Sequence, residues 1–169
     1  INAKIIALGG VSREAAVERV GGKDLADSDL WGEELKAAAS EGDSLGAVVE
    51  CVATEVPYGV GEPFWDSVES LISHAIFSIP GVRGIEFGDG FKASSMKGSE
   101  HNDPLGLNEI GLPLPLKNGS GGVNGGLTNG APIIFRVAFK PTSSIRKTQR
   151  TLDLDKEEMI MQNCYTYSS

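Results

Sequence analysis

The sequence predicts a single α+β domain. Short runs rich in Ile and Val stand beside two amphipathic helical stretches, without the regular strand–helix–strand rhythm of a doubly wound sheet. A glycine-rich stretch, Gly121-Gly122-Val123-Asn124-Gly125-Gly126, precedes a strand instead of following one. That order is the reverse of a dinucleotide or P-loop fingerprint, in which a strand leads into the glycines and a helix leaves them. A chain of 169 residues buries one sizeable core and is too short for two full domains.

Ile5-Ile6-Ala7-Leu8 reads as a short buried strand closed by Gly9-Gly10, and Ser12 before Arg13, Glu14 and Ala15 starts a short helix. From Asp29 to Glu41 the apolar positions Trp31, Leu35, Ala38 and Ala39 recur at helical spacing, with Gly42-Asp43 as the stop. Ala47 to Val56 is rich in β-branched residues and reads as a mostly buried strand ending at Pro57. A second helix is predicted from Glu62 to about Ile79, with Pro63 in its first turn, where a missing N–H costs nothing. Its core face is expected to be Val68, Leu71, Ile72, Ala75, Ile76 and Ile79, opposite Asp66, Glu69, Ser70 and Ser73. Pro80-Gly81 ends it, Gly84–Phe87 reads as a strand, a loop-rich stretch runs to Pro115, and Ile133–Phe139 is a strand.

The charge balance excludes some partners. A net charge of −8 and a pI near 4.8 argue against nucleic acid and anionic membrane surfaces, which require a basic patch. No apolar run approaches the ~20 residues that span a bilayer, and no signal segment opens the chain, so a soluble protein is expected. Cys51 and Cys164 lie far apart without a CxxC spacing, so neither a disulfide framework nor a zinc site is indicated, and no metal is expected. Glycine is the outlier: 22 copies are roughly twice the usual ~7% share, which points to tight turns and close backbone approaches.

Lys140-Pro141-Thr142-Ser143-Ser144 follows directly on the last strand and puts one cation and three hydroxyls at a strand-to-loop turn. Such a cluster suits a phosphate, because lysine supplies a point charge, the hydroxyls donate hydrogen bonds and proline fixes one φ. Taken alone it reads more readily as a solvated loop. The paired glycines of residues 121–126 stay open between a backbone lying against a flat ligand and a tight bend in a sheet. His74 falls on the polar side of the second helix, and His101, with Asp103 nearby, has no accompanying nucleophile. The first reads as a surface residue and the second as part of a hydrogen-bonded turn, so no catalytic residue is assigned.

Several segments together resemble the chorismate synthase family: Gly42-Asp43-Ser44-Leu45-Gly46, Gly59-Val60-Gly61-Glu62-Pro63, Ile79-Pro80-Gly81-Val82-Arg83-Gly84-Ile85-Glu86, Gly88-Asp89-Gly90-Phe91, Gly98-Ser99, and GGVNGGLTNG with RVAFKPTSSI. Six ordered matches over roughly residues 42 to 155 carry the resemblance. It implies a partial β-α-β sandwich, a helical layer between antiparallel sheets. It also implies a cytoplasmic lyase of the shikimate pathway that converts 5-enolpyruvylshikimate 3-phosphate to chorismate and phosphate by anti-1,4-elimination, assembled as a homotetramer. The reaction requires reduced FMN without net redox change; some members also reduce the flavin themselves, with NADP as the associated nucleotide. Carried over residue by residue, Lys140, Pro141, Thr142, Ser143 and Ser144 match the family's FMN-binding stretch and Gly125 its flavin-contacting glycine. Asn118 lies where the family has an asparagine before those glycines, and Pro80-Gly81 stand where it usually has Asn-Ala.

The resemblance also has limits. The FGESHG-, RPGHAD-, SARET- and GRHDP-type segments that supply the family's acid–base histidines, arginines and flavin-side aspartate have no counterpart here, and neither His74 nor His101 matches those positions. The substrate carries a phosphate and two carboxylates, yet the arginines here number six and are scattered. The chain, which begins at Ile1, is therefore expected to be a central-to-late portion of a longer enzyme, inactive alone, with residues 160–169 a non-native or disordered tail. The alternatives are a non-catalytic FMN-binding or oligomerisation module of the same family, and a generic α+β interaction domain.

Overall fold

The computed structural model describes residues 1–23 and 25–163; Cys164 and residues 165–169 of the expected tail lie outside the described residues. In chain order the elements are β1 (Asn2–Leu8), β2 (Val11–Ser12), α1 (Arg13–Arg19), α2 (Asp27–Leu30), α3 (Gly32–Glu41), β3 (Ala47–Ala53), α4 (Val68–Phe77) and β4 (Val82–Phe87). After a 3-10 turn at Gly90–Ser95 come α5 (Gly98–His101), β5 (Leu105–Leu107), β6 (Pro113–Pro115), β7 (Val123–Asn124), β8 (Leu127–Thr128), β9 (Ile133–Phe139), β10 (Thr148–Asp153) and β11 (Glu158–Asn163). The fold is α+β, and the pairs β1–β2, β4–β9, β5–β6, β7–β8 and β10–β11 are all antiparallel.

The chain forms two compact units, one of residues 1–5 and 48–139, the other of residues 6–47 and from Lys140 onward. In the first unit the sheet order is β1-β3-β9-β4. Strand β9 has the predicted bounds, whereas β4 begins two residues earlier than predicted, with a bulge between Val82 and Gly84. Val68, Val123 and Ile133 form the buried centre, with Ala53, Val56, Ile72, Phe87 and Phe135 packed on it. A row of alternating charge crosses the four strands: Lys4 lies 4.0 Å from Glu50, Glu50 3.1 Å from Arg136, and Arg136 3.3 Å from Glu86.

Helix α4 starts six residues later than the sequence predicts. Ser67 is its N-cap, the side chain accepting from the Ser70 N–H at 3.1 Å, and a hydroxyl satisfies an orphan amide that Gly61, the residue before the predicted start at Glu62, has no side chain to reach. The buried face differs too. Val68, Ile72 and Ile76 turn inward with Glu69 and Ser73 beside them, whereas Leu71, Ala75 and Ile79 are exposed, Leu71 to 52%. The inward row runs at i, i+4, i+8 from the capped first turn, which rotates the stripe from the wider one expected.

In the second unit the predicted helix over 29–41 is interrupted at Trp31. That residue ends α2 and begins α3 at φ −109°, is fully buried, and donates its indole N–H to the Val11 carbonyl at 3.1 Å. A buried indole that needs a polar partner outweighs helix continuity there. Gly42 closes α3 at φ +67°, with Asp43 N donating to Ala38 O and Gly42 N to Ala39 O, a Schellman cap. Ser12 caps α1 as predicted, and Arg13 and Arg19 pair with Asp27 and Glu34 at 2.8 and 2.6 Å. β10 and β11 form a hairpin in continuous register from Thr148↔Asn163 to Asp153↔Glu158.

Candidate functional site

Strand β9 delivers the chain to the Lys140–Ser144 loop in the second unit. Lys140, Thr142, Ser143 and Ser144 are exposed, Ile145 behind them is buried, and Lys140 makes no ion pair among the described residues. A buried isoleucine anchors the loop while its cation and the hydroxyls of Ser143 and Ser144 have no partner among the described residues, which leaves donors at the surface for an anion. Thr142 Oγ1 donates to Ser144 O at 3.4 Å, tightening the turn. The loop adjoins a cavity of about 220 Å3 lined by Ala39, Gly42, Asp43, Ser144, Ile145 and Arg146.

The paired glycines divide by role. Gly121 and Gly122 sit against backbone: Ile134 N donates to Gly121 O and Asn129 N to Gly122 O, and a Cβ on Gly122 would come within 2.5 Å of Pro132 O. Gly125-Gly126 is instead the two-residue turn between β7 and β8, with φ +58° and +86°, the left-handed pair that a type I′ turn needs. Nothing lies within 4 Å of a Cβ added at Gly125, so its outer face is open to an approaching flat group.

Asn118 also takes a left-handed φ of +57°. Its Nδ2 donates to Pro132 O at 2.9 Å, while Oδ1 is buried and lacks a hydrogen-bond partner among the described residues. An orphan acceptor of this kind is complementary to a ligand N–H. Pro80-Gly81 forms the turn between α4 and β4, with Gly81 at φ +90° and a Cβ there 4.0 Å from the Phe139 ring, the residue before Lys140. No hydrogen bond joins Asn118 to Gly125 among the described residues.

A charged knot beside Asn118 gave no sequence signal of its own. Lys117 Nζ donates to the His101 carbonyl at 3.0 Å and to that of Glu100, and lies 3.7 Å from Asp89 and 4.0 Å from Asp103. Asp103, its side chain only 5% exposed, accepts from Gly119 N and Ser120 N at 2.7 and 3.0 Å. Both its oxygens are thereby committed to backbone and do not orient His101, which lines a cavity of about 720 Å3 with Tyr58, Asn102, Asn124 and Asn129. His74 is exposed on α4. Among the described residues no group of three or more His, Cys, Asp or Glu is placed to hold a metal, and no helix is long and apolar enough to cross a membrane.

Other contacts missed from sequence are those of Asp43, Ser44 and Lys147. Ser44 Oγ donates to Thr142 O at 2.7 Å, and Lys147 Nζ reaches Asp43 and Glu41 at 2.7 and 2.9 Å. The hydrogen bond from Lys147, then that from the Ser44 N–H, holds the Asp43 carboxyl below its ordinary range, and Asp43 and Glu41 raise Lys147. The one sequence signal was the Gly42–Gly46 segment within the family resemblance.

The family model described as chorismate synthase matches residues 1–165, so the likeness extends upstream of the motifs that first carried it. A chorismate synthase from Chitinophaga pinensis is 51% identical over 150 residues, covering 89% of this chain and 43% of that protein. One from Korarchaeum cryptofilum is 54% identical over 121 residues, 72% of this chain and 33% of its own. A crystal structure of chorismate synthase aligns with a TM-score of 0.73 at 28% identity, over 84% of this chain and 49% of that one. The chain thus spans less than half the length of these relatives. By sequence and by fold, it belongs to the chorismate synthase family.

Proposed function

We propose that the protein carrying this chain is a lyase converting 5-enolpyruvylshikimate 3-phosphate to chorismate and phosphate, and that the Lys140–Ser144 loop holds the phosphate of reduced FMN. The observation behind this reading is the exposed cation and three exposed hydroxyls standing on a buried anchor at the end of β9. Lys140 supplies the countercharge, and the hydroxyls of Ser143 and Ser144 donate to the phosphate oxygens, joined by Thr142 once its hydroxyl turns from the Ser144 carbonyl, with Pro141 limiting the backbone between them. The open face of Gly125 and the unpaired Asn118 Oδ1 each suit a planar ring bearing N–H donors. Pro80-Gly81 stands where the family has a flavin-touching pair, usually Asn-Ala, and a flavin contact there rests on position and not on residue type. The reduced flavin, when bound, lends and recovers electron density without net redox change. No acid–base role is assigned to His74 or His101. Tetrameric assembly and a cytoplasmic location belong to the same reading, and use of NADP would come with the flavin-reducing members.

The test is a titration of the protein with FMN, with and without enolpyruvylshikimate phosphate, followed by flavin fluorescence and absorbance. Saturable binding that the substrate perturbs supports the reading, and absence of binding rejects the loop as a cofactor site. A second reading, a non-catalytic FMN-binding or self-associating module, is favoured by the exposed Leu71 and Phe77 on α4; FMN binding without turnover in the full-length protein supports it.

A further inference from the structure

We infer that Ser44 is a positioning residue that presets the Lys140–Ser144 loop for its anionic ligand. The inference rests on the assignment of that loop to the cofactor phosphate. Residues 41–44 and 142–147 are about a hundred positions apart in sequence and joined at four points in the second unit. Ser44 Oγ donates to Thr142 O at 2.7 Å, Arg146 N to Gly42 O at 2.8 Å, and Lys147 Nζ to Asp43 and Glu41 at 2.7 and 2.9 Å. The receiving segment is itself fixed. The Schellman cap sets Gly42 and Asp43, and Asp43 Oδ1 accepts the Ser44 N–H at 2.9 Å. A Cβ on Gly42 would lie 2.9 Å from the Arg146 Cβ, so the segments pack closely as well as bond.

Three of these ties fall beyond Ser144, at Arg146 and Lys147. Among the described residues, Ser44 provides the one side chain from outside the loop that bonds to its backbone between Lys140 and Ser144. Holding the Thr142 carbonyl inward leaves the loop's donors facing outward and removes part of the ordering cost that a flexible loop bears on binding. Thr142 O is exposed to water in the absence of that hydroxyl, so the loop loses a preferred conformation while the fold keeps its other anchors.

The experiment uses the full-length protein and three variants, Ser44→Ala, Ser44→Thr and Lys140→Ala, with the FMN Kd and the melting temperature of the flavin-free protein measured for each. Ser44→Ala is expected to raise Kd about three- to tenfold, the effect of one neutral hydrogen bond, with the melting temperature within about 2 °C of wild type. Ser44→Thr keeps the hydroxyl and is expected to restore Kd. If Lys140→Ala weakens binding and Ser44→Ala does not, the positioning role fails and the loop assignment stands. If neither variant changes Kd, or wild type does not bind FMN, the loop assignment fails and takes this inference with it. A lowered melting temperature in Ser44→Ala with no recovery of Kd in Ser44→Thr also overturns it, as a purely structural effect.

Discussion

Glu86 and Arg136 sit opposite each other in register across β4 and β9, and Arg136 Nη1 lies 3.3 Å from Glu86 Oε1. The same guanidinium donates through Nε to Glu50 on β3 at 3.1 Å and through Nη1 to the Gly88 carbonyl at 2.8 Å. One cation on the interior strand β9 thus serves both neighbouring strands. Replacing Arg136 with Met leaves two carboxylates, each under a third exposed, facing the sheet without their shared partner. The expected loss is about 1–3 kcal/mol in chemical denaturation, with part regained when Glu50→Gln and Glu86→Gln are added. An unchanged midpoint in the single variant would remove the network from the stability of the sheet.

Thr128 is a buried polar side chain, 4% exposed. Its Oγ1 accepts from Val60 N at 2.9 Å and donates to the Pro57 carbonyl, tying the 57–60 loop to β8. Thr128→Val keeps the shape and removes both bonds, stranding an amide and a carbonyl. The expected cost is about 1–3 kcal/mol. A Thr128→Ser variant keeps the hydroxyl and gives up only the methyl, and is expected to lose less; a loss as large as that of Thr128→Val would mean that the two bonds do not outweigh the methyl contact.

Helix α4 offers a paired test of which face is core. Ile72 packs on the Val68–Val123–Ile133 cluster and Leu71, next in sequence, is half-exposed. Ile72→Ala is expected to cost about 1–3 kcal/mol, below the full range for a completely buried isoleucine because its burial is partial, and Leu71→Ala less than about 1 kcal/mol in this chain. The reverse ranking in thermal or denaturant unfolding would put Leu71, and not Ile72, on the core face.

That contrast shows what the sequence carried. Strand β9 was legible to the residue because its apolar run is bounded by Pro132 and by the Lys140-Pro141 pair, and the stop at Gly42 because only a left-handed cap closes α3 there. The start of α4 was not, because Gly61 and Pro63 form a plausible helix start whose competitor, the Ser67 cap, is a single hydroxyl. The break at Trp31 depends on the carbonyl of Val11, twenty residues away, and periodicity has no access to such a partner. In the candidate site the loop of Lys140–Ser144 could be read locally because its donors are contiguous. The ties to Ser44 and Asp43 were hidden for the opposite reason, since they join segments about a hundred residues apart.

The Asp43–Lys147 pair should give stability a dependence on pH at both ends of the scale. Asp43 is held below its ordinary range, so its contribution is present above the unfolded carboxyl value of about 3.9 and is lost as pH falls through the lower folded value. Lys147 is raised, so its contribution is fully present below about 10.4 and is lost as pH rises through the higher folded value. The stability difference between wild type and Asp43→Asn should therefore be flat from about pH 5 to pH 10 and narrow beyond each limit. Both side chains are over a third exposed, so added salt should shrink the whole plateau. Denaturant midpoints of the two proteins across that pH range supply the measurement. A difference that persists unchanged below pH 3 would take the Asp43–Lys147 charge pair out of the account, and the Ser44 N–H bond would not explain it either, because the amide oxygen in Asp43→Asn still accepts that bond.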